Sequence, residues 1–470
     1  MTEVLSPARE RKRSSGLYRA FWRWHFYASF IVIPVMLMLS VTGLIYMFRF
    51  TIDPLMHQGV ITVQSEQQGV FQPLSVQQEA VEQAFPESAV LSVTQPSGDR
   101  ATLFTVADGE EDVRSVYVNP YTAQVSGDLN PEGLLSNMAV RLHGELMTGK
   151  IGDAVIELAV CWAIVMTLTG YYLFARNWRK RRTRAPMRRR HGYVGAIAGV
   201  GILFLIVSGL PWTGLWGEKV QEIAAPRGAS LWGEDPGATS TLKESIEGAS
   251  SSSAPAGWAI GETEVPTSSG HNHGGAGSTG EAAGEVSIDT AVNAASSVGV
   301  PGPFFVVYPD GEEGVWSVMG DQWNDPGNPA FRDVSQEAVA HVDQYSGEVV
   351  ATYSYDEYSP AAKVVSQAIS LHEGRKFGGL NTIATTAFCL GVIFLCITGP
   401  LMWWRRRPKG SGLSAPRGRM PLRTSPWLIV GLGVLCLLLP LFGLSVLVLL
   451  IFDTFVVRRN ATLRQWLSVE

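Results

Sequence analysis

Four histidines sit where a titratable ring is unexpected. "RLHGELMTGKIG" puts His143 about one helical turn before an apolar run long enough to cross a membrane. "SLHEGRKFGGLN" puts His372 in the same place before another such run. His25 and His191 open two further apolar runs. Neutral imidazole is a nitrogen ligand for transition metals. Two imidazoles facing each other across a helix bundle form the axial ligand set of a six-coordinate haem, and the apolar helices supply the porphyrin pocket. A histidine at a membrane interface also serves as a plain polar anchor, so that reading stands beside the first. Zinc fits less well: it takes a compact tetrahedral set, usually with cysteine or carboxylate, and the sequence shows no such cluster.

Spacing sorts the four rings into two pairs. His25 precedes Thr42-Gly43 and His191 precedes Ser208-Gly209, each histidine lying 18 residues before its glycine. His143 precedes Thr169-Gly170 and His372 precedes Thr398-Gly399, each by 27 residues to the glycine. Two matches in two kinds of span imply an internal duplication: span, exported domain, span, then the same again. Eighteen residues make five helical turns, about 27 Å of rise. His25 and Gly43 therefore share one helix face at opposite membrane ends, as do His191 and Gly209. Gly43 and Gly209 fall at the level of His143 and His372. Gly170 and Gly399 fall at the level of His25 and His191. Glycine at these depths makes room for a flat, bulky group or lets helices approach closely. Ala139 and Val140 precede His143, and Ala368 and Ile369 precede His372, which sets both rings on apolar helix faces.

One acid joins this set. Glu157 lies at the outer end of a span, where an intramembrane carboxylate suggests a proton or charge role, or a partner for Arg141 or Lys150. His57 and His341 have no repeat equivalents and read as surface or structural residues. No Walker loop, dinucleotide fingerprint or serine–histidine nucleophile set is present.

The elements that position these residues follow from hydropathy and charge. The chain has 470 residues, 46% of them apolar. Four runs, about 27–48, 154–175, 192–216 and 380–404, approach or exceed the roughly 20 apolar residues that cross hydrocarbon. A fifth, about 427–457, is interrupted by Pro440 and reads as one kinked span or a tight hairpin. Residues 176–190 hold nine Arg/Lys and no acid, and 405–423 hold seven and no acid. Residues 51–150 hold 13 acids against four bases, and 217–377 hold 23 against seven. Short basic loops stay cytoplasmic, so the acidic regions are exported. Topogenic charge accounts for the arginine run, and no nucleic-acid partner is expected. All four cysteines lie within apolar runs, so there is no exported disulfide framework.

The expected fold is thus a mainly α integral membrane bundle, with four core spans and a Pro-interrupted C-terminal apolar segment. Two α+β exported domains accompany it. The expected boundaries are 1–23 (basic N-terminus), 24–50 (span 1), 51–150 (exported domain 1), 151–176 (span 2) and 177–190 (basic loop). They continue with 191–216 (span 3), 217–377 (exported domain 2), 378–404 (span 4), 405–425 (basic loop), 426–457 (membrane segment) and 458–470 (tail). In the first exported domain "LSVQQEAVEQAFP" reads as a helix opened by a Ser75–Gln78 capping box. In the second, "VSIDTAVNAASS" reads as the equivalent helix. The turns in "VNPYTAQV" and "VDQYSGEV" match in residue type. Residues 226–285, where 22 of 60 are Gly or Ser, read as a flexible insert holding His271 and His273 of "HNHGG".

These motifs resemble the PepSY-associated transmembrane family of iron-regulated bacterial inner-membrane proteins. The likeness rests on "FWRWHFYASF", "RLHGELMTG", "TGYYLFAR", "RRHGYVG", "SGLPWTGLWG", "SLHEGRKFGGLN" and "TGPLMWWRRR", and spans about 20–457 without the insert. The resemblance implies PepSY-like exported domains in the periplasm and a role in siderophore-iron uptake. It implies two b-type haems, with His25 and His191 as inner ligands and His143 and His372 as outer ligands. The activity implied is a haem-dependent ferric-siderophore reductase; the sequence leaves its electron donor, a quinol or an inner-membrane reductase, open. It also implies the rival reading of a non-redox, membrane-anchored PepSY module that regulates a protease or assembly partner.

Overall fold

The computed structural model describes residues 7–63, 69–107, 112–178, 185–217, 219, 240–249, 259–268, 285–320, 325–407, 412–416 and 427–467. Its helices, in chain order, begin with α1 (Pro7–Met47), α2 (Arg49–Met56) and α3 (Leu74–Ala84). Strands β1 (Val90–Thr94), β2 (Thr102–Ala107), β3 (Val113–Asn119) and β4 (Gln124–Leu129) follow. Next come α4 (Leu135–Glu145), α5 (Lys150–Arg176), α6 (Pro186–Gly209), β5 (Ser240–Thr241), α7 (Leu242–Ala249), β6 (Glu264–Val265) and α8 (Ile288–Ser297). The second strand set is β7 (Phe304–Val307), β8 (Val315–Gly320), β9 (Ala338–Asp343) and β10 (Val349–Ser354), with α9 (Pro329–Arg332) before β9. The chain closes with α10 (Pro360–His372), α11 (Gly379–Trp404), α12 (Trp427–Leu438), α13 (Pro440–Phe452) and α14 (Ala461–Trp466).

Five helical segments are long and apolar enough to cross a membrane: Gly16–Met47, Lys150–Arg176, Pro186–Trp212, Gly379–Trp404 and Pro440–Val457. The protein is a multi-pass membrane protein. The C-terminal apolar run is two helices, not one. Leu439 leaves the helical region (φ −125°, ψ 83°) and Pro440 starts α13 at its first turn, where its missing N–H costs nothing. The turn is close: a Cβ on Gly443 would lie 2.9 Å from the Cys436 carbonyl oxygen. The 12 residues of α12 reach only about 18 Å, short of a hydrocarbon core of about 30 Å.

The chain divides into two compact units. The first comprises residues 1–44, 142–215 and 385–470, and is helical. Large side chains of α5 and α11 fill gaps left by small residues of α6. Tyr171 packs on Gly199 and donates to the Ala196 carbonyl at 3.1 Å, and Phe388 lies against Gly201. A Cβ on either glycine would collide with these rings, so the close packing requires glycine. Trp162 of α5 stacks edge-on to Phe442 of α13 and donates its indole N–H to the Ser445 hydroxyl at 3.0 Å. Ile197, Val200 and Val207 project outward from α6. All four cysteines are free thiols.

The second unit comprises residues 45–141 and 216–384. Here the structure corrects the expectation of two separate α+β domains. Both segments that lie between the spans join one eight-stranded antiparallel sheet, ordered β10-β9-β8-β7-β1-β2-β3-β4. The seam is β1 against β7, with Ser92 opposite Val307, Val93 opposite Val306 and Thr94 opposite Phe305. Left apart, each four-stranded half would expose an edge of unpaired backbone groups, and the seam removes both edges. Alternation then divides the side chains. Val93, Phe104, Val116, Val306, Val318 and Ala340 face a core closed by Leu74 and Val81 of α3 and Ile288 and Ala291 of α8. Phe305, Val307, Met319 and Val339 face a second core closed by α7, Ile260 and α10.

Two local expectations also change. Ser75 is not an N-cap: it lies inside the first turn of α3, behind Pro73. The carboxylate of Asp289, from α8, caps that helix instead, accepting from Leu74 N at 2.9 Å, Ser75 N at 3.2 Å and the Ser75 hydroxyl at 2.5 Å. The 226–285 segment is not wholly a flexible insert. Leu242 and Ile246 of α7, with Ala259 and Ile260, are buried in the second core, and β5 pairs with β6. Ser92 of β1 donates its hydroxyl to the Ala249 carbonyl at 2.5 Å, tying α7 to the sheet. His271 and His273 lie outside the described residues.

Candidate functional site

Three of the four histidines fall in the helical unit, each held at Nδ1. His25 on α1 places Nδ1 2.9 Å from the Met166 carbonyl oxygen of α5. A carbonyl only accepts, so Nδ1 carries the proton and Nε2 the lone pair. His191 on α6 places Nδ1 2.8 Å from the Thr398 hydroxyl of α11. That hydroxyl lies 2.8 Å from the Phe394 carbonyl one turn earlier. Two oxygens at that separation need a hydrogen between them, and the hydroxyl has only one. Its lone pair therefore accepts from Nδ1–H of His191, again leaving the lone pair on Nε2. His143, at the end of α4, repeats the pattern. Its Nδ1 is 2.9 Å from the Thr42 hydroxyl of α1, which is 2.9 Å from the Met38 carbonyl.

Glycines adjoin the same rings. A Cβ on Gly170 would lie 3.1 Å from Cε1 of His25, one on Gly43 3.4 Å from Cε1 of His143, and one on Gly399 3.9 Å from Cε1 of His191. In two of the three cases the hydroxyl holding Nδ1 immediately precedes the glycine that admits the ring. For His25 the Thr169 hydroxyl is more distant, 3.5 Å from Nδ1, and the Met166 carbonyl is the nearer partner. Ser208, before Gly209, donates to the Phe204 carbonyl at 2.8 Å.

His372 ends α10 in the second unit. The loop behind it is pinned. Arg375, almost fully buried, pairs with Glu373 at 2.5 Å and donates to the Phe331 carbonyl at 2.6 Å. Asn381 donates to the Leu371 carbonyl at 3.0 Å, and the Thr382 hydroxyl to the Gly374 carbonyl at 3.0 Å.

Residues 22–406 match the family model described as the PepSY-associated TM region. The chain belongs to the PepSY-associated TM family. No curated protein matches it. The PepSY-associated TM region contains all four histidines and their glycines, and it ends before α12.

Other polar residues of this PepSY-associated TM protein have the following surroundings. Glu157 is fully buried within α5, and Cys161 follows it one turn later. Asp153, on the first turn of α5, accepts from the Gly214 backbone N–H at 2.8 Å. Arg141 pairs with Glu132 at 2.6 Å. Among the described residues no group of three or more His, Cys, Asp or Glu side chains could hold a bare metal ion. His57 caps the end of α2.

Two buried polar pairs in the sheet unit escaped the sequence reading. His341 is fully buried in β9 and faces Ser317 of β8 across the ladder, Nδ1 to Oγ at 2.9 Å. Burial drives its pKa down to about 4. Glu337 is buried and accepts from the Tyr358 hydroxyl at 2.7 Å. Burial raises its pKa to about 7, against the smaller lowering effects of the Tyr358 bond and the Arg375 charge. Neither pair has a sequence signature. Thr42 and Thr398 each stand beside a glycine singled out by spacing, but that spacing assigns the threonines themselves no role.

Proposed function

We propose that this PepSY-associated TM protein is a di-haem b electron-transfer protein of the bacterial inner membrane, reducing ferric siderophore iron on the periplasmic side. One observation carries the reading: His25 and His191 share a unit, each with Nδ1–H committed to an oxygen and Nε2 left as a lone pair. That is the protonation pattern of a metal-ligating histidine whose other ring nitrogen donates to an oxygen. The neighbouring glycines keep space beside the imidazoles. The donor set fits haem better than zinc, because a porphyrin supplies four nitrogens and asks the protein for only two.

His25 and His191 would hold an inner haem. His143 and His372 would hold an outer one, a pairing supported by the matched spacings of the duplicated sequence. The palindromic strand order, four strands on each side of the β1–β7 seam, supports that duplication. Bound haem supplies a one-electron iron centre whose potential follows ligand basicity and burial. The substrate logic is chemical: ferric iron is gripped by hard oxygen donors, and a single electron weakens that grip. The basic loops at 176–190 and 405–423 support a periplasmic position for the sheet unit. A quinol or an inner-membrane reductase would be the electron donor, and Glu157 a site of proton or charge compensation.

Absorption spectra of the purified full chain, oxidised and dithionite-reduced, test this. We expect a Soret band, a reduced α band of bis-imidazole type and two haems per chain by pyridine haemochrome. His25→Ala or His143→Ala should each remove one haem. The reduced protein should be reoxidised by a ferric siderophore. A chain expressed with ample haem and lacking a Soret band overturns the redox reading in favour of a membrane-anchored PepSY binding module.

A further inference from the structure

The structure assigns two threonines a task that nothing in the sequence gave them. We infer that Thr398 and Thr42 are positioning residues that fix the tautomer and set the donor strength of His191 and His143. This rests on the haem-ligand reading above. In a helix a threonine hydroxyl bonds back to the carbonyl four residues earlier. Thr398 does so to Phe394 and Thr42 to Met38, so neither hydroxyl has a hydrogen left to offer an imidazole. Each can only accept, and the facing Nδ1 must donate. The threonine thereby excludes the Nε2–H tautomer, which could not ligate iron through Nε2.

The same bond tunes the ligand. An acceptor on Nδ1–H pushes electron density toward Nε2, makes the imidazole a stronger donor and favours ferric over ferrous iron. The three rings are not served alike. His25 relies on a backbone carbonyl, that of Met166 at 2.9 Å, with Thr169 standing off at 3.5 Å. No side-chain substitution removes that acceptor. His191 and His143 rely on hydroxyls, which a substitution does remove. Valine matches threonine in shape and lacks the oxygen, so Nδ1–H loses that acceptor and the imidazole becomes a weaker donor.

The test is a spectroelectrochemical titration of the full-length protein in detergent, with haem content measured in parallel. Thr398→Val should move one of the two midpoint potentials positive, and Thr42→Val should move the other. Thr398→Ser, which keeps the oxygen, should return the wild-type potential. Thr169→Val should leave both potentials in place, because the Met166 carbonyl remains. Loss of one haem in Thr398→Val with retention in Thr398→Ser also supports the inference, since the oxygen alone separates the variants. Two haems with unshifted potentials in Thr398→Val overturn it. So does the same shift, or the same haem loss, in the valine and serine variants. A wild-type chain without haem sinks the underlying reading instead, so the two failures are told apart by the wild-type spectrum.

Discussion

Gly170 stands so close to His25 that a Cβ in its place would lie 3.1 Å from the ring's Cε1. Gly399 is the looser counterpart, with 3.9 Å to Cε1 of His191 and 3.7 Å to Ile33. The first distance is tighter than ordinary van der Waals contact and the second is not. A branched side chain at 170 must push the imidazole off the Met166 carbonyl or force α1 and α5 apart. Gly170→Val should therefore lose one of two haems per chain, while Gly399→Ala keeps both. The pyridine haemochrome ratio decides, and equal haem content in the two variants would show that ring placement does not depend on this contact.

Two separate buried groups, Glu337 and His341, predict a concealed pH dependence in the sheet unit. Glu337 has its folded pKa raised to about 7 from 4.5. Between those values the native state holds a proton that the unfolded state lacks, so its contribution to stability falls as pH rises. His341 has its folded pKa lowered to about 4 from 6.5. There the unfolded state holds the extra proton, so stability falls as pH drops. Between about pH 4.5 and 6.5 the two slopes oppose each other, each about 1.4 kcal/mol per pH unit. Removing one exposes the other. Relative to wild type, Glu337→Gln should gain stability as pH rises through that window, and His341→Gln should gain it as pH falls. Denaturant melts of the full chain at three pH values suffice, and difference slopes of the same sign in both variants would refute the assignment.

Asp289 links the two sheet helices by capping one from the other. It accepts both N-terminal amides and a hydroxyl of the first turn of α3. These amides have no helical partner, and a carboxylate there also meets the positive end of the helix dipole. Asp289→Ala should cost about 1–2 kcal/mol, the range for a lost cap. Ser75→Ala should cost less, because it removes one of the three bonds and leaves both amides capped. A larger loss from Ser75→Ala would restore the local capping box.

What the sequence disclosed and what it hid follow the range of the interactions involved. Spans were legible because lipid demands about 20 apolar residues in a row whatever the rest of the chain does. Strands were legible from alternation, and the turns from Asn119 and Asp343, whose side chains accept from Tyr121 N and Tyr345 N two residues on. The β1–β7 seam was hidden: Val93 and Val306 are more than two hundred residues apart, and each strand reads only as buried. The cap on α3 was hidden for the same reason, since Asp289 lies beyond two further spans in the chain. At the rings, spacing drew attention to Gly43, Gly170 and Gly399. It gave no role to Thr42 or Thr398, whose importance lies in which oxygen accepts from which nitrogen.

The Gly/Ser-rich segment misled because composition averages over a window. Its 22 Gly and Ser residues obscure a short amphipathic run in which Leu242 and Ile246, four residues apart, reach the second core. Leu242 is wholly buried, so Leu242→Ala removes a packed side chain and should cost about 2–5 kcal/mol. Lys243→Ala, on the exposed side of the same helix, should change stability by less than about 0.5 kcal/mol. A free linker would show no cost from either substitution. Thermal melts of the full-length variants in detergent separate the cases, and a silent Leu242→Ala would return α7 to the status of a linker.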